Sequence, residues 1–199
     1  MIVVGLTGSI GMGKTATAKL FAEEGVPVYD ADAAVHALYA KGGKGVGPIG
    51  NAFPSAVKEG AVDRDALSQA VLDDAAAFKK LEGIIHPLVG EAQRDWIEAR
   101  RAEGAGLVVL DIPLLFETGG NERVDKVVVV SAPEELQRGR VLEREGMSHD
   151  KLDAILQKQV PDETKRAKAD FIVETSGGVE NAREQVQAVL RILKYKRQG

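Results

Sequence analysis

Five short apolar segments, rich in valine and isoleucine, dominate the hydrophobic pattern of the chain. Four of them are strong and the second in chain order is weaker: 2–7, 26–30, 107–112, 126–131 and 170–174. Their apolar residues run almost continuously and do not alternate with polar ones, which is typical of parallel strands buried on both faces. The pattern therefore predicts a parallel five-stranded sheet.

Between these segments, apolar residues recur at helical spacing. A helix over 14–24 ends at Gly25, another follows a capping box in Ser131-Ala-Pro-Glu134 and runs to about 145, and a third covers 178–195. Strands that alternate with helices predict right-handed crossovers and a doubly wound α/β domain. We therefore predict one core domain over 1–199.

One connection is too long for a simple crossover, because about 75 residues separate the second strand from the third. The periodicity predicts several helices there, with Pro87 at the start of the last and a glycine-rich bend between the first two: 32–40, 42–50 (bend), 63–73, 75–83 and 87–103. A connection of that length in a compact domain usually builds a substructure of its own, often for binding. We predict a helical substrate-binding insert over 31–105.

Composition narrows the functional classes. The net charge is −4 and the sequence pI is about 5.5, whereas a nucleic-acid-binding domain is usually basic. The chain has no cysteine, which excludes disulfides, thiolate metal sites and cysteine nucleophiles. Neither a signal peptide nor a run of about 18 apolar residues is present, so we expect a soluble cytoplasmic protein that binds neither membranes nor nucleic acid.

The segment GSIGMGKT, residues 8–15, follows the first apolar run and precedes the first predicted helix. It fits G-x-x-x-x-G-K-[ST], the loop whose glycines let successive backbone N–H groups face phosphate oxygens. Lys14 would reach the β- and γ-phosphates of a nucleotide, and the Thr15 hydroxyl would bind Mg²⁺. A chance glycine turn is the alternative, but the flanking strand and helix favour the phosphate-binding loop.

Three aspartates stand at predicted strand ends, where α/β proteins bind their ligands. Asp30 and Asp32 follow the second strand: one would cap the next helix, and a carboxylate there could accept the proton of an attacking hydroxyl. Asp111 ends the apolar run LVVL, where it would support Mg²⁺ directly or through water. A charge buried at a strand end also requires a partner.

The segment 138–168 carries eight basic residues, most of which a solvated helix face would explain. Phosphoryl transfer also needs positive charge that closes over the phosphates, often from a mobile lid. We therefore predict a helical lid over 140–168, with Arg140 and Arg144 on one helical face. Charge alone does not select the functional arginine. For His86 and Glu117, capping, packing or local ion pairing are the structural alternatives.

Taken together, these motifs resemble the dephospho-coenzyme A kinases, a family of P-loop nucleotide kinases. The resemblance runs nearly end to end: GLTGSIGMGKT, DAD, the HP of LEGIIHPLV, PLLFE, RVLEREGMSHDKLDAILQKQ and ADFIVETSG. The P-loop alone would not select this family, whereas DAD, HP and PLLFE in this order make the match specific. It implies a P-loop kinase fold and transfer of phosphate from ATP to the ribose 3′-hydroxyl of dephospho-coenzyme A.

The resemblance also implies roles for individual residues. The ATP-binding loop matches Gly11, Met12, Gly13, Lys14, Thr15 and Ala16. Asp32 matches the aspartate proposed to receive the hydroxyl proton, Arg140 a lid arginine that contacts the transferring phosphoryl group, and Thr7 the threonine near the reacting hydroxyl. His86 and Glu117 match positions on the substrate side.

The chain departs from the family pattern at two places. Ser9 and Met12 stand where similar proteins often have glycine and serine, and neither position supplies the lysine or the magnesium ligand. The segment ETSGG lacks the asparagine that often precedes the glycine, which affects the adenine side near Thr175 to Gly177. The alternatives are a kinase for another small acceptor, such as a nucleoside monophosphate, and a GTP-dependent switch, whose N-K-x-D and D-x-x-G motifs are absent from usable positions.

Overall fold

A computed structural model describes residues 1–195. The strands are β1 (Ile2–Thr7), β2 (Val28–Asp30), β3 (Val57–Lys58), β4 (Ala61–Val62), β5 (Leu107–Asp111), β6 (Lys126–Ser131) and β7 (Phe171–Glu174). The helices are α1 (Lys14–Glu23), α2 (Ala31–Tyr39), α3 (Val46–Ala52), α4 (Arg64–Val71), α5 (Ala75–Ala102), α6 (Glu134–Leu142), α7 (His149–Leu156), α8 (Asp162–Ala167) and α9 (Gly178–Ile192). Short 3₁₀ helices cover Pro54–Ala56 and Gly120–Arg123.

The chain divides into two compact units. The first combines Met1–Tyr29 with the described residues from Arg100 onward, and the second is Asp30–Ala99. No helix within 1–195 is both long and apolar enough to cross a bilayer.

The first unit is built on the five-stranded sheet, whose strand order is β2-β5-β1-β6-β7. β1 pairs in parallel with both β5 and β6, and β6 pairs in parallel with β7. In this register Leu6 lies opposite Asp111, so the residues after β1 emerge beside the end of β5. All five predicted strands are present, and the predicted α/β fold with a parallel sheet is confirmed.

The apolar runs are continuous because the sheet is covered on both faces. Along β6, Val128 and Val130 pack with residues of α1 and α9, whereas Val127 and Val129 pack in a second cluster around Leu115. Successive strand residues point to opposite faces, so a strand with two buried faces needs apolar residues throughout. β1 is the middle strand of this buried sheet, so the loop that follows it begins from a position held on both sides by β5 and β6.

The second unit has a core of its own around Ile49, Phe53, Leu67 and Ile85. It is not purely helical, because β3 and β4 form an antiparallel hairpin that the sequence analysis did not predict. Strands of two residues are too short for their alternation to show. The predicted bend over 42–50 is also wrong in its second half, where α3 begins at Val46.

Pro87 lies inside a helix and does not start one. The predicted helices 75–83 and 87–103 are the single helix α5, which has 28 residues. Proline removes the intrahelical hydrogen bond to the carbonyl of Gly83, but both residues are exposed and water can satisfy that carbonyl. Leu81, Ile85 and Val89 pack into the same core on both sides of the proline, which keeps the helix continuous.

The predicted capping box before α6 is absent. Ser131 is the last residue of β6, and its hydroxyl donates a hydrogen bond to Oδ2 of Asp162 at 2.6 Å. α6 begins at Glu134 after Pro133 without a side-chain cap. Ser131 does not cap α6 because its side chain is fully buried, and a buried hydroxyl needs a hydrogen-bond partner, which here is Asp162.

Candidate active site

The loop between β1 and α1 has the backbone of a phosphate-binding loop. Gly11 and Gly13 have φ of 80° and 93°, a left-handed conformation that glycine adopts at little cost. The N–H of Met12 donates to the carbonyl of Ser9 at 3.1 Å, which closes a turn before α1 begins at Lys14. A Cβ at Gly11 would lie 2.5 Å from Cγ2 of Val141, so α6 packs directly on this loop.

This loop presents a set of hydrogen-bond donors. Within 11–16, five amide N–H groups have no acceptor among the described residues 1–195: those of Gly11, Gly13, Lys14, Thr15 and Ala16. The last three belong to the first turn of α1, where helical N–H groups lack an intrahelical partner and the helix dipole favours negative charge. A set of donors without acceptors suits the oxygens of a phosphate, as the sequence predicts.

Lys14 and Asp111 meet at the end of the paired strands. The Lys14 ammonium lies 2.5 Å from Oδ1 of Asp111, and both side chains are largely buried. The partner expected for a carboxylate at this strand end is therefore the lysine of the loop. A nucleotide phosphate offers the same ammonium a second acceptor, so the lysine can serve both groups.

The oxygens that could hold Mg²⁺ beside this loop are few. Thr15 is exposed on the first turn of α1, and the Asp111 carboxylate lies at the end of β5. Among the described residues, no group of three or more histidine or acidic side chains could hold a metal ion alone. Mg²⁺ prefers oxygen ligands and usually takes one or two of them from protein and the rest from phosphates and water, so this donor set fits.

Arg140 lies on α6 and reaches the loop from that side. Its guanidinium donates to the hydroxyl and the carbonyl of Thr175, at 2.9 Å each, and at 3.4 Å to the carbonyl of Gly11. The Thr175 hydroxyl in turn donates to the carbonyl of Met12 at 2.9 Å. Arg140 and the segment after β7 are thus joined to the P-loop, and Thr175, which lies where the family pattern predicts the adenine side, is buried in this network.

Thr7 ends β1 as a fully buried residue. Its hydroxyl donates to the carbonyl of Pro113 at 3.1 Å, which links the start of the P-loop to the PLLFE segment after β5. The hydroxyl oxygen can still accept a hydrogen bond while it donates this one.

Glu117 makes a long-range ion pair, not a local one. Its Oε1 accepts the N–H of Val160 at 2.8 Å and lies 2.9 Å from the ammonium of Lys165, whose side chain is fully buried. Burial alone would raise the pKa of the Glu117 carboxyl, but the hydrogen bonds from Lys165 and Val160 and the lysine charge hold this pKa below its usual value. Glu117 therefore fixes the chain between α7 and α8.

In the second unit, the aspartates of DAD divide their roles. Asp30 is the N-cap of α2, and its Oδ1 accepts the N–H of Ala33 at 2.9 Å. Asp32 lies in the first turn of α2 and is exposed, and within residues 30–99 its carboxylate has no hydrogen-bond or ion-pair partner. The cap expected for one aspartate is thus Asp30, and the role of Asp32 as a proton acceptor stays a prediction. His86, also exposed, lies within α5 and caps no helix.

Two glutamines contact the P-loop and were not predicted. Gln137 on α6 donates to the carbonyl of Ile10 at 2.7 Å, and Gln159 after α7 accepts the N–H of Ile10 at 3.2 Å. Gln137 is only 4% exposed. Gln159 ends the segment RVLEREGMSHDKLDAILQKQ that carries the resemblance, but neither that segment nor any local pattern indicates that the two glutamines meet at Ile10.

Comparison with known proteins agrees with these features. A family model described as Dephospho-CoA kinase matches residues 2–181. A protein of Mesorhizobium japonicum named Dephospho-CoA kinase is 57% identical over 197 residues, which cover 99% of each chain.

Solved structures have the same fold. The crystal structure of a Thermus thermophilus protein matches with a TM-score of 0.80 and 38% identity over 96% of this chain and 97% of that one. A dephospho-CoA kinase from Campylobacter jejuni matches with a TM-score of 0.68 over 96% of both chains, and at 24% identity it supports the fold alone.

Proposed function

The chain belongs to the dephospho-CoA kinase family, and from this premise we propose how its residues transfer the γ-phosphoryl group of ATP to the ribose 3′-hydroxyl of dephospho-coenzyme A. The products are ADP and coenzyme A. The single observation that carries the proposal is the P-loop with its five amides that lack a protein acceptor, next to the ammonium of Lys14. Such a donor set suits the phosphates of a nucleotide, and the family membership makes ATP that nucleotide.

ATP binds through residues 11–16. The amides hold the β- and γ-phosphates, and Lys14 stabilises the negative charge that develops on the phosphates during transfer. Thr15 and Asp111 would hold Mg²⁺ together with the phosphates, and this ion would neutralise charge on the β- and γ-oxygens. Arg140 adds positive charge from α6 and reaches the transferring group after exchanging one of its contacts to Thr175.

Asp32 is the general base of the transfer. An exposed carboxylate in the first turn of a helix can accept the proton of the acceptor hydroxyl as the phosphorus–oxygen bond forms. Thr7 lies at the start of the loop and orients the hydroxyl through its free lone pair. The transfer is direct and forms no covalent enzyme intermediate.

The acceptor side of the protein comprises the insert 31–105, with His86, and the residue Glu117 after β5. His86 contacts the bulky acceptor from α5. Glu117 contributes to acceptor binding indirectly, because it holds the segment at Val160 in place. The segment 140–168 is the lid, and it contains α7 and α8 as well as Arg140.

The test is ADP formation by the purified protein with Mg-ATP and a panel of acceptors. Dephospho-coenzyme A is expected to support turnover, whereas AMP, adenosine and shikimate are not. Turnover with AMP in place of dephospho-coenzyme A would support a nucleoside monophosphate kinase. Tight GTP binding with slow hydrolysis and no acceptor dependence would support a switch protein.

A further inference from the structure

Two side chains from different parts of the first unit hold one residue of the P-loop. The carbonyl of Ile10 accepts from Nε2 of Gln137 at 2.7 Å, and the N–H of Ile10 donates to Oε1 of Gln159 at 3.2 Å. A backbone carbonyl can only accept and an N–H can only donate, so these contacts fix which end of each glutamine amide faces Ile10. The two glutamines therefore need opposite chemistry, a donor at 137 and an acceptor at 159.

Gln137 controls the direction of the next amide in the loop. In a planar trans peptide the carbonyl of one residue and the N–H of the next point in opposite directions. By holding the Ile10 carbonyl, Gln137 turns the N–H of Gly11 the other way, and this N–H is one of the five that lack a protein acceptor. The contact is close because Gly11 has no Cβ, which would lie 3.2 Å from Cγ of Gln137.

Gln159 acts on the preceding peptide in the same manner. Its contact with the Ile10 N–H fixes the opposite direction of the Ser9 carbonyl, which accepts the N–H of Met12 at 3.1 Å. The turn that positions the second half of the loop thus depends on Gln159.

The position of Gln159 is itself fixed from outside the loop. The next residue, Val160, donates its N–H to Glu117, which is paired with the buried Lys165 of α8. The segment 157–161 between α7 and α8 is therefore tied at one residue to the end of β5 and at its neighbour to the P-loop. A displacement of this segment removes the acceptor of the Ile10 N–H.

We propose that Gln137 and Gln159 are positioning residues that hold the peptides on either side of Ile10 and aim the Gly11 amide at the bound phosphate. Through Gln159, the phosphate-binding geometry depends on the segment between α7 and α8. This proposal rests on the proposed ATP site, but not on the identity of the acceptor.

The opposite requirements allow a direct test with four variants. Gln159→Glu keeps an acceptor for the Ile10 N–H, whereas Gln159→Met has none. Gln137→Met loses the donor, and Gln137→Glu places a carboxylate against a carbonyl. We measure the dissociation constants of ADP and a non-hydrolysable ATP analogue, the KM values for ATP and dephospho-coenzyme A, and the thermal unfolding of each variant.

Gln159→Met and Gln137→Met are expected to weaken nucleotide binding about 10-fold, since each leaves a backbone group of the loop unpaired. The variant Gln159→Glu is expected to bind nucleotide more tightly than Gln159→Met. The variant Gln137→Glu is expected to bind it more weakly than Gln137→Met. The KM for dephospho-coenzyme A is expected to change less than the KM for ATP. Gln157→Glu is the matched control for added charge, because Gln157 is exposed two residues away and no side-chain partner is present within the described residues.

Two results in nucleotide binding would overturn the proposal. One is a lower affinity of the glutamate variant than of the methionine variant at both positions, which would show a general charge effect. The other is an affinity of Gln159→Met for the ATP analogue within twofold of the parent. A change in thermal stability without a change in nucleotide affinity would assign both glutamines a purely structural role. If the Gln137 variants do not fold, the two Gln159 variants and the control still decide.

The acceptor measurement separates this proposal from the proposed function. If the glutamate and methionine variants show the predicted order of nucleotide affinities but no phosphate is transferred to dephospho-coenzyme A, the positioning role is supported and the proposed function is overturned. If phosphate is transferred but the affinities do not follow that order, the proposed function is supported and the positioning role is overturned.

Discussion

The side chains predicted to be functional are held differently in the two units. In the first unit, Lys14, Arg140 and Glu117 each contact residues that lie more than 30 positions away in the chain. In the second unit, Asp32 and His86 are exposed on α2 and α5, two helices that contribute Tyr39 and Ile85 to a separate core. The residues of the proposed nucleotide site are therefore held by tertiary contacts, whereas the residues proposed for the acceptor side are presented by their local helices.

This difference has a consequence for mutagenesis. Removing an exposed side chain of the second unit should change the rate and leave stability nearly unchanged, because surface substitutions usually alter stability by about 0.5 kcal/mol or less. Removing a paired side chain of the first unit should disturb binding or stability, since its partners lose their contacts as well.

The largest expected effect is that of Asp32→Asn, which would test the exposed side of the comparison. The variant keeps the shape of the side chain but loses the base, so kcat should fall about 10²- to 10⁴-fold with unchanged ATP affinity and melting temperature. Asp30→Asn is the matched control two residues away, because asparagine caps a helix as well as aspartate does. Turnover of Asp32→Asn within threefold of the parent would exclude Asp32 as the base.

Lys14→Ala tests a side chain of the first unit that is held by a tertiary contact. The loss of the ammonium should lower kcat/KM for ATP about 10²- to 10³-fold, and nucleotide affinity should fall with it. The Asp111 carboxylate also loses its partner at 2.5 Å, so the melting temperature should fall as well. Unchanged ATP affinity and rate, measured by titration and steady-state kinetics, would contradict the P-loop assignment.

Lys165→Met tests a residue of the first unit that contacts no phosphate in this account. Its side chain is fully buried against Glu117, and removal of one partner from a buried ion pair costs about 3 kcal/mol or more. Denaturant unfolding should report this loss. A folded variant of full stability would show that the pair does not fix the segment between α7 and α8.

The smallest expected effect is the pH dependence of the Glu117 contribution to stability. Because folding lowers the pKa of this carboxyl, its contribution is present above the pKa of the unfolded chain and is lost as the pH falls through the lowered value. The difference in melting temperature between the parent and Glu117→Gln should therefore be largest near pH 7 and shrink below about pH 4. A difference that grows on acidification would contradict this sign.

The sequence predicted the sheet because its signals are local. Each strand is a run of apolar residues, and the P-loop lies in eight consecutive positions, so neither required knowledge of distant contacts. The resemblance added roles for Asp32 and Arg140 that charge alone did not assign. The catalytic and binding roles themselves stay predictions until the variants are measured.

The features that the sequence did not predict depend on tertiary contacts or on very short elements. The pattern predicts Ser131 as a helix cap, but its hydroxyl donates to Asp162 instead. Pro87 lies within α5 because the apolar face of the helix continues past it. The hairpin of β3 and β4 has two residues in each strand. The contacts of Gln137 and Gln159 with Ile10 join residues more than 120 positions apart, which no local pattern can indicate.

The most direct test of the central claim is the position of the phosphate in the product. The protein is incubated with Mg-ATP labelled at the γ-phosphorus and with dephospho-coenzyme A, and the product is analysed by phosphorus NMR and mass spectrometry. The account predicts one labelled phosphomonoester on the ribose 3′-oxygen, formed in step with ADP. Label on any other group, or ADP formation at the same rate without dephospho-coenzyme A, would contradict it.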